Sequence, residues 1–421
     1  MKEWFCGFEK QGLCNGVDSR FVNRSTTAIV VFVTVFLFFN TMPGTTTIKE
    51  VCYYGSVLLV FSLWISGKVE VKLKSPLTIS LLLYCGWAVC SLFWTLDVGG
   101  TLHDIRAHLI KYVVYFFILI NFIDSKKKVR DVGVTFLLSA LTLSIFLLYK
   151  HFFVGGFGVL DKMEGFSSEL PVNWIGYTVV VAMAVVFVLI KDCESKWLAS
   201  LYVMSLILLF FVIFLTQSRA AILSSLLVII ISFCNNKKVS LFFAVLAVIA
   251  VFVGPVSGKF DVNKITKDAR VSINLTSIEI MKDYPLGVGF GNEIYGKHLD
   301  LVKYNRIVRQ KFGSKKVIFA DPHSILFSVG VRLGYIGLLL FVFVLLKFSH
   351  LCFKIFLHGR GSFCQSWALA VFAGFVGFMV IALCEPATSH IPDTVFYILL
   401  ALGVCVWKIN EDASGEVVEG A

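Results

Sequence analysis

Long apolar runs separated by short polar breaks organise this chain of 421 residues. The runs fall at roughly 26–42, 51–66, 76–95, 108–123, 132–153, 172–190, 197–215, 220–234, 239–256, 324–347, 363–384 and 393–408. Most have about the length that an α-helix needs to cross the hydrocarbon of a bilayer. The pattern predicts an all-α, polytopic integral membrane protein with about 12 transmembrane helices. An even number of spans puts both termini on one side. The breaks on that side read "GKVEVKLKS", "DSKKKVRD", "KDCESK", "NNKK" and "KFSHLCFKIFLHGRG", and every one carries two or more Lys/Arg. The opposite short breaks, "PGTTTIKE", "TLDVGGTLHDIRA", "FVGGFGVLDKMEGFSSELP" and "EPATSHIP", are nearly free of Lys and Arg. Positive loops stay in the cytoplasm, so both termini are expected there.

One break is of another kind. Residues 257–322 form a long loop on the outer side, with twelve Lys/Arg against seven Asp/Glu. Long loops cross the membrane regardless of charge, so this one fits the orientation. The chain thus divides into residues 1–256 with spans one to nine, the loop 257–322, residues 323–410 with spans ten to twelve, and a cytoplasmic tail 411–421. Within the loop, "RVSINLTSIEIMKDYP" carries apolar residues at helical spacing and predicts a short amphipathic helix ended by Pro285. "PLGVGFGNE" then reads as a turn-rich connector. Its glycines follow no predicted strand, so they do not make a dinucleotide fingerprint.

Composition adds three constraints. The chain is 57% hydrophobic and 15% charged, with mean hydropathy +0.84, where a soluble domain carries about 25% charged residues. Its net charge of +11 is explained by the inner loops and does not call for a nucleic-acid partner. Several charges precede the first apolar run, which reads as an anchor and not as a cleaved leader. Eleven cysteines show no CxxC pairing, and none lies between residues 257 and 323. They read as small apolar side chains, not as metal ligands or disulfides.

The chemistry-bearing candidates lie at the outer face. Spans seven and eight meet across "TQSR", so Arg219 stands at or just below the interface. It either snorkels to headgroups or binds an anion in a cavity, with Ser218 and Gln217 as further donors. Arg270 opens the loop helix, one basic residue of twelve. In "FADPHSILFSVGVRLGYIG", Asp321 is placed to cap span ten, Pro322 suits its first turn, and His323 then falls in its outermost turn. Topology puts Arg219, Arg270 and His323 on one face. A guanidinium matches phosphate oxygens with a planar fork, and an imidazole accepts a proton from a sugar hydroxyl. Together they suggest a phosphate ester or pyrophosphate displaced by an alcohol. Glu385, at the outer end of span eleven, either orients His323 or pairs an arginine. His103, Asp104 and Arg106, before span four, are further candidates, and the outer loops show no DxD pair or ligand-spaced cluster for a metal.

"TQSRAAIL", "ARVSINLTSIEIMKDYPLGVGFGNE" and "DPHSILFSVGVRLGYIGLL" resemble successive blocks of the O-antigen ligase and polymerase superfamily, over about residues 197–408. The resemblance implies a GT-C-like glycosyltransferase of the bacterial inner membrane, with one large periplasmic loop and no cofactor or metal. The implied donor is O-polysaccharide on undecaprenyl pyrophosphate. The implied acceptor is a sugar hydroxyl of the lipid A core in a ligase, or another lipid-linked repeat unit in a polymerase. By position, Arg219, Arg270 and His323 match the family's two arginines and its histidine; the residue after that histidine is usually Asn, here Ser324. The resemblance assigns the arginines to the pyrophosphate and His323 to the acceptor hydroxyl as general base, with inversion at the anomeric carbon.

The ligase branch is favoured by overall length, by the single dominant loop and by "KYNRIVRQKFGSKK". The basic residues of that stretch, Arg309 among them, are placed to meet phosphorylated core sugars or simply to be solvated. The polymerase branch uses the same donor. A polysaccharide transporter is the alternative of a different class, and the absence of a clear internal repeat speaks against it.

Overall fold

The computed structural model describes residues 16–163, 165, 172–234, 238, 241, 269–313, 318, 321–385 and 389–415. Among these residues all regular structure is helical. Among the described residues, nine helices are long and apolar enough to cross a membrane. They are drawn from α1 (Gly16–Asn40), α2 (Thr46–Ile65), α4 (Val98–Phe122), α5 (Lys126–Val154), α6 (Val172–Lys191), α7 (Lys196–Thr216), α12 (Ile325–His358), α13 (Ser362–Ala382) and α14 (His390–Gly415). Two apolar helices are shorter, α3 (Thr78–Cys90) and α8 (Arg219–Ser232). The ninth apolar run, apart from Leu241, lies outside the described residues, as do residues 257–268.

Side-chain caps set several helix starts. Ser125, Ser195 and Ser218 accept backbone N–H groups at the heads of α5, α7 and α8. Asp97 does the same for α4, accepting from Gly100 at 3.1 Å. That cap starts α4 ten residues before the expected span, so His103, Asp104 and Arg106 stand on a helix and not in a loop. The helix passes through a π-turn at Ile105–Ile110. At its far end α12 runs on to His358, beyond the expected boundary at 347, because Leu351, Cys352 and Ile355 keep burying one face. The basic break read there as a loop is mostly helix.

The bundle is centred on α6, α13 and α14, which are largely enclosed, while α2 and α7 are mostly exposed at its edge. α13 packs against α6, α8, α12 and α14. Trp367, fully buried on α13, donates to Asp192 at 2.9 Å.

Residues 269–313 of the long break form a folded layer. α9 (Ala269–Asp283) packs on α12 and on α11 (Leu301–Phe312), with the single turn α10 (Ile294–Lys297) between them. Ile280, Met281, Tyr295, Leu301, Tyr304 and Val331 of α12 share a small core. α11 begins at an Asp300 cap and ends at Gly313 in the left-handed region (φ 63°). The Tyr304 hydroxyl donates to Asp283 at 2.8 Å and holds that carboxyl below its ordinary range.

α12 is broken at Gly334 (φ 67°, ψ −167°). A non-helical residue frees backbone groups that are costly to leave unpaired in apolar surroundings. The connector Pro285–Gly291 supplies their partners. Val288 and Gly289 donate to the carbonyls of Val331 and Arg332, both at 3.0 Å, and Tyr335 donates to the Pro285 carbonyl at 3.0 Å. The Trp87 indole takes the Leu333 carbonyl at 2.9 Å. The connector is tied below as well, where Leu96 donates to the Val288 carbonyl and the Trp94 indole to that of Leu286, each at 3.0 Å. Gly334 is required here: a Cβ would overlap the Pro285 carbonyl, and its φ is one that other residues rarely adopt.

Candidate functional site

The site is assembled around Glu385, just beyond α13 and 3% exposed. The guanidinium of Arg270, in the first turn of α9, is ion-paired with one of its carboxylate oxygens. The other oxygen stands 3.9 Å from Nδ1 of His323, within reach of charge attraction but too long for a hydrogen bond. Two of the residues singled out in the sequence, 53 positions apart, thus meet through a third. The Glu385 backbone carbonyl also accepts from the Tyr177 hydroxyl at 3.4 Å, linking α6 to the site. Exposure grades outward: Glu385 is buried, His323 is 22% exposed and Arg270 46% exposed. The arrangement offers a cation to an anion arriving from outside and an imidazole beside it, with a buried carboxylate behind both.

His323 does not belong to the first turn of α12. The helix begins at Ile325, and its N-cap is Ser324, in extended conformation (φ −163°, ψ 133°). Asp321 is therefore not the N-cap expected from sequence. An extended residue between His323 and the helix leaves the imidazole on the approach segment and not on the helical barrel. Asp321 is half-buried, and that burial raises its carboxyl above the ordinary range, opposed by the charges of His323 and Arg332.

Arg219 is half-buried at the first position of α8. Two residues on, Ala221 packs at Gly176, where a Cβ would lie 3.2 Å from both the Ala221 Cβ and the Ile381 Cδ1. Ile381 is one turn before Glu385, so the head of α8 lies at the same end of the bundle as the Glu385 cluster. Its two neighbours have structural duties. Ser218 caps α8 through the Ala221 N–H at 3.4 Å, and Gln217, in the left-handed region (φ 50°), donates to the Leu160 carbonyl at 3.0 Å. The expectation that both serve as ligand donors competes with these bonds.

Arg309 lies on the exposed face of α11 with Arg306, one turn away. Among the described residues neither forms an ion pair, whereas Lys303 and Lys311 on the same helix pair with Asp283 and Glu279. Asp104 accepts from the Asn292 N–H at 2.6 Å and lies 3.0 Å from His103, so Asp104 ties α4 to the residue that follows the connector.

Sequence reasoning passed over a second polar group. His108 on α4 is bonded to Asp393 on α14 at 2.7 Å, and His390 stacks on His108 at 4.7 Å. With Arg332 and Tyr84, His108 and Asp393 line a cavity of about 50 Å³. The signal was available, since ionisable side chains inside apolar runs are costly and rarely incidental.

A family model described as O-antigen ligase matches residues 204–342. The match runs from α7 into α12 and takes in Arg219, Arg270 and His323; Glu385 lies beyond it. The resemblance read from the three sequence blocks to the O-antigen ligase superfamily holds over that stretch. No curated protein matches the chain.

Proposed function

We propose that this chain is an O-antigen ligase. It transfers O-polysaccharide from undecaprenyl pyrophosphate to a sugar hydroxyl of lipid A-core, at the periplasmic face of the bacterial inner membrane, in a GT-C-like fold with cytoplasmic termini. The convergence of Arg270 and His323 on the buried Glu385 carries the reading.

The chemistry follows from the groups present. His323 takes the proton of the acceptor hydroxyl as its oxygen bonds to the anomeric carbon. The bond from that carbon to the pyrophosphate oxygen breaks, and the leaving group departs with the electron pair. Arg219 and Arg270 meet the charge that develops there, as fixed donors aimed at a departing phosphate. Attack opposite the leaving group inverts the anomeric configuration. Glu385 keeps Arg270 and His323 at their separation and balances the positive charge that His323 acquires. No nucleotide is consumed, because cleavage of the pyrophosphate ester drives the transfer. Arg306 and Arg309 on the exposed face of α11 offer guanidiniums to phosphates on the acceptor.

Deleting the gene tests the assignment. Loss of all glycan-capped lipopolysaccharide, with long chains still accumulating on the lipid carrier, is the expected result. Single repeat units left on the core would assign the chain to the polymerase branch instead, which shares the donor. Lipid-linked repeats trapped at the cytoplasmic face would support a transporter.

A further inference from the structure

Arg332 lies nine residues after His323, at the end of the helical piece of α12 that precedes the Gly334 break. It is 6% exposed. A buried guanidinium is costly unless its donors and charge are met. Its Nε and one terminal nitrogen both donate to the Phe290 carbonyl, the first at 2.7 Å, and its Cζ lies over the Phe290 ring, 4.0 Å from the ring centre. Its own backbone carbonyl accepts from Gly289. One residue therefore grips the connector by backbone, by forked side chain and by stacking. It also lines the cavity shared with Asp393, His108 and Tyr84. That space, about 50 Å³, is large enough to hold water between Arg332 and the bonded Asp393–His108 pair.

The connector follows directly on α9, whose first turn carries Arg270, and α9 itself packs on α12. The helical piece ending at Arg332 begins just after His323. Fixing the connector on α12 therefore adds to the α9–α12 packing in holding the Arg270 and His323 segments relative to each other.

We propose that Arg332 is a positioning residue. It locks the Pro285–Gly291 connector onto the broken helix and so sets the spacing of Arg270 and His323 across Glu385. Lysine at this position keeps a positive charge opposite Asp393 but has neither the fork nor the plane.

The test uses the full chain in lipid nanodiscs and has two readouts. In Arg332→Lys, amide exchange across residues 285–291 should rise by about tenfold or more while α13 and α14 keep their protection. In transfer assays, which rest on the glycosyl-transfer reading above, kcat should fall by about tenfold or more with the donor KM within about twofold. Unchanged exchange in 285–291, or unchanged kcat, overturns the proposal. The double variant Arg332→Met with Asp393→Asn removes both charges and should remain slow; wild-type kcat in it would show that Arg332 only balances Asp393. If Arg332→Lys fails to accumulate, Phe290→Leu keeps the carbonyl and removes the ring. It should raise exchange in the same segment by a few-fold, and no change there overturns the proposal equally. A wild-type chain that protects 285–291 but transfers no glycan would sink the functional reading and leave the joint standing.

Discussion

Replacing Glu385 by Gln keeps the shape of the site and removes its one buried charge. The His323 ring lies 3.9 Å from that carboxylate. A unit charge pair at that distance is worth about 4 kcal/mol at an effective dielectric near 20. His323 is 22% exposed, so water screens part of this, and about 2 kcal/mol is a fair share for the transition state, in which His323 is protonated. Arg270 loses a charge-assisted partner but is 46% exposed, so water replaces much of that bond. The expected outcome is a fall in kcat of roughly 30- to 100-fold, at about 1.4 kcal/mol per factor of ten, with only a small change in melting temperature. Glu385→Asp should fall between the two. The assay is transfer of lipid-pyrophosphate-linked glycan by purified protein, with thermal melting measured in parallel. A kcat within threefold of wild type, with the fold intact, would refute the idea that Glu385 joins Arg270 and His323 into one working group.

Gly334→Ala forces a left-handed residue and a backbone overlap with Pro285, and should cost more than about 3 kcal/mol, seen as lost accumulation or a steep drop in melting temperature in detergent. Gly313→Ala, at a similar φ but in open space, should cost only about 1 kcal/mol by the same melt, so equal effects would contradict the role given to the connector. Arg306→Glu with Arg309→Glu should raise the acceptor KM by on the order of tenfold and leave the donor KM unchanged. An unaltered acceptor KM in steady-state kinetics would return that face of α11 to simple solvation.

Hydropathy alone located most of the bundle, because the cost of bare backbone in lipid leaves little choice for uniformly apolar runs. It misplaced ends where a polar cap or a single buried face extended a helix, as at Asp97 before α4 and past residue 347 in α12. The break at Gly334 was hidden for another reason. Apart from Arg332, "GVRLGYIGLL" reads as a continuous apolar helix, and the hydrogen bonds from a connector some 45 residues earlier are what permit the chain to leave the helix there. Arg270, His323 and Glu385 were named from topology and chemistry, but their meeting point was not, since in sequence Glu385 admitted two roles, whereas in space it pairs with Arg270 and stands 3.9 Å from His323. The His108–Asp393 pair joins residues 285 apart, a distance over which no local pattern gives warning.

The central claim is that His323 takes the acceptor proton in an inverting transfer from a lipid pyrophosphate. Purified chain in nanodiscs, given lipid-linked glycan and lipid A-core in the presence of a metal chelator, should form glycan-capped acceptor and release one lipid pyrophosphate per transfer. The new linkage should have the anomeric configuration opposite to that of the donor. His323→Ala, equally folded, should lose this activity. Undiminished transfer by His323→Ala, or retention of configuration in the product, would contradict the account.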